Sequence, residues 1–353
     1  MTKKQNQLQV VLDKTVDGKK IFGAVFAIKK DNFHWTGASG NISTDQTFFI
    51  ASTTKLFTTA IILQLKSEGK LEFEDKISKY LDKSIMNGLH IYKGNDYSDE
   101  ITIKHLLSHT SGLADYFQGN GTNGKSLEDE LVKGNDQFWT FDQAIERTKA
   151  MNPLFIPGTN RKANYSDANF QLLGKIIEVI TNKTYSKNCD ELIIKPLNLS
   201  GTYLYKDTTD LKPKILYYKA NELFIPKAMT SFGADGSIVS NSTDMLIFIE
   251  DFFTGKLFPM EYINDLQAWN NIFFPMKSGI GIHMFKLPWI FNLTGAVPYF
   301  IGHSGLSGAL AYYSPKENIF IAGTVNQVAY PDISFKTMIK LTQIVMKTEK
   351  YCS

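Results

Sequence analysis

Apolar and polar positions change period several times along the chain. Residues 5–17 carry a helix-like spacing. "IFGAVFAIKK" (21–30) is an apolar run of strand length, and "NFHWTGASG" reads as a second strand ending in a turn. In "FFIASTTKLFTTAIILQLKSEGK" (48–70), Leu56, Phe57, Ala60, Ile61, Ile62 and Leu65 recur at helical spacing, which predicts a buried helix opening at Ser52. Residues 76–225 are mostly helical patterns joined by polar loops, among them "ITIKHLLSHTSGL", "TFDQAIERTKAM" and "SDANFQLLGKIIEVITNKT". The loop "QGNGTNGKS" (118–126) is rich in Gly and Asn and reads as mobile. A helix follows Ser242. Short β-like runs come next: "SGIGIHMF", "VPYFIGHSG", "GALAYYSP" and "NIFIAGTVN". The last long helix starts near Ser334, and no internal repeat is present.

Strands thus lie at both ends of the chain and helices dominate its middle. The expected fold is α/β of the α+β type, with one antiparallel sheet flanked by helices. Residues 1–75 and 226–353 would form the sheet unit and 76–225 an inserted, mainly helical subdomain, with a cleft between them. A length of 353 residues exceeds one typical core and fits this division.

Composition narrows the function. The chain is 43% hydrophobic and 21% charged, ordinary for a soluble globular protein. A net charge of +3 without a dense Lys/Arg block gives no case for nucleic acid or a membrane surface. The expected partner is a small-molecule or peptide substrate; the oligomeric state is left open. Two cysteines, Cys189 and Cys352, far apart in the sequence and one of them at the tail, give no case for a disulfide framework or a Cys metal cluster. No run approaches the roughly 20 apolar residues of a membrane span. The first residues lack the apolar core of a signal peptide, so the chain is cytoplasmic if complete, and exported or of the cell envelope if a signal segment was removed. No Gly-rich phosphate loop appears, and no cofactor is expected.

Lys55 is the anomaly in this pattern. A cation in the first turn of a helix opposes the positive end of the macrodipole. Ser52 and Lys55 are three apart, so they share one helix face and the amine can reach the hydroxyl. Serine needs a neighbouring base to act as a nucleophile. Desolvation and the helix end would disfavour the ammonium form of Lys55, and free N–H groups there can stabilise an oxyanion. The same spacing recurs at Ser67-Glu68-Gly69-Lys70, beside a glycine at the helix end, and reads there as a solvated turn.

"FFIASTTKLFTT" resembles the nucleophile motif of the serine β-lactamase and penicillin-binding-protein superfamily, a Ser-x-x-Lys opening a buried helix. Four further segments resemble its class C β-lactamase and DD-peptidase branch, in the expected order. They are "LLSHTSGL" (106–113), "PGTNRKANYSDANFQLLGKIIE" (157–178), "GADGSIVSNSTDM" (233–245) and "GHSGLSGALAYYSPKENIFIAGTVN" (302–326). The resemblance implies that Ser52 is acylated, Lys55 is its proton partner and Tyr165 is a second acid/base. It leaves open which of Lys55 and Tyr165 is the general base. The backbone N–H groups of Ser52 and Leu306 would form the oxyanion site.

Two segments match the branch's third motif. Lys277-Ser278-Gly279 has the Lys-Ser/Thr-Gly form, and His303-Ser304-Gly305 the His variant. Position favours the latter, because two β-like runs joined by "SPKEN" follow it. His303 then joins the catalytic set, with Ser304 and Gly305 along the substrate. A side chain at Gly305 would block a substrate lying along the strand edge. An unperturbed His303 would titrate near neutrality. The family's Tyr-x-Asn reads Tyr165-Ser166-Asp167 here, so Asp167 takes the substrate-binding place or caps the following helix. A carboxylate there only accepts hydrogen bonds; it would favour protonated Lys55 and repel the carboxylate of penicillins. The His form resembles DD-carboxypeptidases, D-aminopeptidases and related esterases.

The remaining histidines suggest no metal. His105 and His109 stand at i, i+4, but a third ligand and the Glu of an H-E-x-x-H motif are missing, and Gly112 can end a helix there. His34, His90 and His283 carry no pattern. The expectation is a serine hydrolase working through an acyl-enzyme on an amide or ester: a D-peptide, a small ester or a β-lactam. Its rivals are an acyltransferase on the same scaffold and a non-catalytic penicillin-binding-like module.

Overall fold

The computed structural model describes residues 2–121, 124–292 and 295–347. Residues 122 and 123 of the Gly/Asn-rich loop, and Cys352, lie outside them.

One eight-stranded sheet organises the molecule. Its strands are β1 (Gly23–Lys30), β2 (Phe33–Gly40), β3 (Asn270–Phe273), β4 (Met276–Ser278), β5 (His283–Phe285), β6 (Phe300–Ser304), β7 (Ala309–Ser314) and β8 (Ile319–Thr324). They lie in the order β3-β4-β5-β6-β7-β8-β1-β2, and every neighbouring pair is antiparallel. The strand nearest the N-terminus therefore pairs with the last, as the sequence pattern implied.

β1 explains why it reads as a continuous apolar run. Val25 and Ala27 face one core, and Ala24, Phe26 and Ile28 face another. Alternate side chains point to opposite faces, and both faces are covered. On one face lie helix α1 (Lys3–Thr15), through Leu8 and Leu12, and helix α5 (Asp332–Met346), through Met338, Leu341 and Val345. On the other lie α2 (Thr54–Ser67) and α4 (Ser242–Phe253), with α3 (Asp167–Thr181) packed against α2 and the larger core among the three helices. α2 is buried almost all round, from Thr54 to Leu63.

A second, three-stranded sheet holds the nucleophile segment. Phe48–Phe49 pairs with Ile238–Ser240, which also pairs with Tyr203–Leu204. The Ile50 N–H continues this pairing by donating to the Ile238 carbonyl at 3.1 Å.

The structure differs from the sequence pattern at the edge strand β3, which no pattern marks, and in two further respects. The α-helix starts at Thr54, because Ala51–Thr53 form a 3-10 turn in front of it. Short strands also occur within 76–225, at Ile91–Tyr92, Asn95–Asp96, Tyr203–Leu204, Leu216–Tyr218 and Asn221–Leu223. Ladders of two or three residues carry too little alternation to be read from sequence.

Candidate active site

Ser52 sits in the middle of the 3-10 turn. Its hydroxyl is no helix cap, since neither that turn nor α2 has a side-chain cap bond. Ala51, just before it, is held at φ 46, a left-handed conformation that costs a non-glycine residue about 1 kcal/mol or more. The Tyr165 hydroxyl donates to Ser52 Oγ at 2.8 Å.

Lys55 is fully buried. Its ammonium donates to Asp167 Oδ1 at 2.6 Å and to the Asp235 carbonyl at 2.8 Å. It also lies 5.1 Å from the Tyr165 ring centre and 5.4 Å from that of Phe170. Burial works to lower its pKa, but Asp167 first, then Tyr165 and Asp235, outweigh burial and raise it well above the ordinary lysine value. The apolar surround disfavours the charge, as expected, but it is outweighed, and Asp167 acts in the direction expected of a carboxylate at that place. The carboxylate decides, at a distance where ion pairing is strong.

Asp167 is the first residue of α3, whose N-cap is Ser166, and its carboxylate caps nothing. It is buried, bound to Lys55, and lines the same cavity as Ser52. Two further acids surround it. Asp115 Oδ1 accepts the backbone N–H groups of Phe117 and Asp167, both at 3.1 Å. Burial and the neighbouring Asp167 push the Asp115 carboxyl up to about 7. Asp235 Oδ2 accepts from the Tyr116 hydroxyl at 2.8 Å and from Gln171 Nε2 at 3.1 Å. Burial, then Asp167, raise Asp235 well above the ordinary carboxylate value, against the pull of Lys55. Its Oδ1 has no partner, and the residue borders the cavity. The Tyr165 phenol is also raised, by burial and Asp167 against Lys55. The resting site is therefore an ammonium bound to Asp167, with a neutral phenol on the serine.

The third-motif residues meet this group through the backbone. Gly305 packs against the nucleophile turn: a Cβ there would lie 2.4 Å from the Ile50 carbonyl oxygen and 3.1 Å from the Ser52 nitrogen. The need for glycine is thus this close approach to the turn. Ser307 Oγ donates to the Phe49 carbonyl at 2.8 Å and ties the same loop down. Leu306 lines the cavity beside Ser52. Ser304 ends β6, and its carbonyl faces His303 Nδ1 at 2.8 Å. His303 is buried, and its Nε2 has no partner. Burial, His283 and Lys55 hold its pKa well below the ordinary value, which corrects the expected titration near neutrality.

The other candidates sort themselves by position. Lys277 is exposed on β4, and Ser278 is buried on the Ser108 carbonyl at 3.1 Å. Ser67 is exposed and donates to the Gln64 carbonyl, a local contact at the helix end. His105 is spent in a capping box with Thr102, so it does not pair with His109. Gly112, at φ 78, lies past the helix Ile103–Leu107; a Cβ there would meet the Phe155 carbonyl at 2.0 Å, so left-handed backbone and packing both require the glycine. His283, which carries no sequence pattern, stacks on His303 with centroids 4.1 Å apart. Asp115 and Asp235 also escaped sequence reading. Each lies inside a quoted motif or just after one, but only the tertiary fold brings them to Lys55.

A cavity lies beside Ser52. Its walls are mainly apolar, with Phe117, Leu131, Leu223, Ile225, Met229 and Phe232 among them. Its polar side chains are Ser52, Ser307, Glu128, Asp167 and Asp235; among the described residues, no cationic side chain lines it. Burial raises the Glu128 carboxyl, although Gln118 donates to it at 2.9 Å.

A family model described as Beta-lactamase matches residues 8–337. The chain is 28% identical over 260 residues to PbpX of Bacillus subtilis (strain 168), covering 72% of this chain and 57% of PbpX. It spans only part of the curated relatives it matches, 32% of one of them. Among solved structures, it is similar to a D-stereospecific amidohydrolase from Streptomyces sp., with a TM-score of 0.75 and 25% identity over 94% of this chain and 97% of that one. It shares its fold with a D-amino acid amidase from Ochrobactrum anthropi SV3, at a TM-score of 0.80 and 18% identity over 98% and 99% of the two chains.

Proposed function

The chain belongs to the Beta-lactamase family, and from that premise we propose that it is a serine hydrolase that cleaves amides or esters through an acyl-enzyme at Ser52. The observation that carries this reading is the Tyr165 hydroxyl on Ser52 Oγ at 2.8 Å, beside the buried Lys55–Asp167 pair. On this reading the cleft lies between the sheet unit (1–75 and 226–353) and the helical insertion (76–225).

Tyr165 is the base, because Lys55 is held as an ammonium. In the reactive form Tyr165 has lost its proton and the Lys55 charge holds the phenolate. As Ser52 Oγ bonds to the substrate carbonyl carbon, its proton passes to Tyr165. The carbonyl oxygen becomes an oxyanion facing the backbone N–H groups of Ser52 and Leu306. Tyr165 then returns the proton to the leaving nitrogen or oxygen as its bond to carbon breaks. Water attacks the acyl carbonyl, gives a proton to Tyr165, and Ser52 regains it as the acid departs. One water is consumed, and acid plus amine or alcohol are released.

The cavity supports a substrate class. Apolar walls suit an apolar acyl group, and the acidic side chains suit an ammonium on it. An amino-acid amide or ester with an apolar side chain has both features, and the D-amino acid amidase fold relative makes the D-series the first to test. A β-lactam carboxylate finds no cation in this cavity and meets Asp167. Steady-state rates should therefore rank a D-phenylalanine amide or p-nitrophenyl butyrate at least about tenfold above nitrocefin in kcat/KM. Nitrocefin as the best substrate would overturn the substrate class. Excess alcohol or amine in the same assays measures transfer to acceptors other than water.

A further inference from the structure

His109, His283 and His303 come from three separate parts of the chain and meet beside Tyr165. One ring nitrogen of each lies within 4.8 Å of those of the other two. The His109 ring stacks on Tyr165 at 4.7 Å and lies 5.9 Å from His283, which stacks on His303. All three rings are buried, and the Nε2 of each has no hydrogen-bond partner. Buried polar atoms are rarely left so, and three together point to something that they hold.

Two of the rings have fixed tautomers. His109 Nδ1 accepts the backbone N–H of Ser166 at 3.2 Å. A backbone N–H only donates, so this nitrogen is bare and Nε2 carries the proton of the neutral ring. His303 is the reverse. Its Nδ1 faces the Ser304 carbonyl, which only accepts, so Nδ1 carries the proton and Nε2 has a lone pair. A donor on His109 therefore stands against an acceptor on His303, with His283 free to play either part. This set is wrong for zinc, which needs a lone pair from each ring. It suits a small molecule that both donates and accepts, as water does.

We propose that the three imidazoles hold one water molecule between them, and that His109 and His283 act through it as positioning residues that keep His303 neutral, with its proton on Nδ1. The charged group acting on all three rings is the Lys55 ammonium, which favours the same neutral state. The rings facing them are the neutral Tyr165, Phe170 and Phe273. The consequence for substrate rests on the hydrolase reading: the third-motif position offers a substrate carboxylate no positive charge.

Nitrogen-15 NMR of the full chain labelled at histidine tests this without using activity. Between pH 5 and 8 the three rings should stay neutral, His109 protonated at Nε2 and His303 at Nδ1. His283→Ala should let His303 titrate within that range or take up its other tautomer, and should add a limb to the pH profile of kcat/KM for a neutral ester. His283→Asn, which can still bond a water, should restore the wild-type pattern. A titrating wild-type His303, the opposite tautomers, or His303 signals unchanged in His283→Ala would overturn the proposal. So would one equivalent of Zn²⁺ shifting all three rings at once. If His283→Ala does not fold, the wild-type tautomers alone decide. A failed Ser52 label with the NMR pattern intact would sink the hydrolase reading and leave the cluster standing.

Discussion

Asp167 sets the charge state of its neighbours. Its carboxylate raises Lys55 and Tyr165 together, and it also pushes up Asp115 and Asp235. The base form of Tyr165 is therefore scarce at neutral pH, and kcat/KM should rise along an alkaline limb. Asp167→Asn removes the charge that raises both groups, so each deprotonates at lower pH. The limb should move toward acid, and activity at pH 7 should rise relative to the wild-type maximum. The variant should also gain β-lactam turnover relative to ester turnover. It should lose stability, since a buried ammonium without its carboxylate costs about 3–5 kcal/mol. pH profiles with nitrocefin and p-nitrophenyl butyrate, beside thermal melts, check all three. An unmoved limb would show that Asp167 does not govern the base.

Elements deliver these residues by backbone contact. The 3-10 turn Ala51–Thr53 is pinned from one side by the Ile50–Ile238 hydrogen bond and from the other by Gly305 and Ser307. Gly305→Ala would place a methyl 2.4 Å from the Ile50 oxygen and 2.9 Å from Ala51 Cβ. The turn must then shift, and displacements of about 1 Å can cost 100-fold in rate. kcat/KM should fall at least about tenfold; a wild-type rate would mean that the loop does not position Ser52. At this scale much was legible in the sequence. β1, β6, β7 and β8 were apparent as apolar runs because helices cover both sheet faces. β3 was not, because "NNIF" is a half-polar strand at the sheet edge with no pattern to show. The Ser52–Lys55 pair was visible because the two are neighbours on one chain segment. Asp115, Asp235 and His283 were invisible for the opposite reason: each gains its meaning from a contact across the fold.

The whole molecule carries buried acids, and their effect on stability has a definite sign. The Asp115 carboxyl stands at about 7 in the folded chain and near about 4 when unfolded. The folded state thus holds its proton more tightly. Stability from this group is full below about pH 4 and is lost as pH rises to about 7, at about 1.4 kcal/mol per unit of displacement. Asp115→Asn should flatten the fall in Tm over that window and raise Tm at pH 7–8 relative to wild type. A variant whose melting curve still tracks wild type across the window would contradict the raised carboxyl. The central claim, an acyl-enzyme at Ser52, is tested most directly by covalent labelling. The full chain is treated with a fluorophosphonate, digested, and mapped by mass spectrometry. The account predicts one adduct, on the peptide bearing Ser52, lost in Ser52→Ala, retained in Ser67→Ala and formed at least about 100-fold more slowly in Lys55→Ala. An adduct on Ser67 or any other residue, or full turnover in Ser52→Ala, would contradict it.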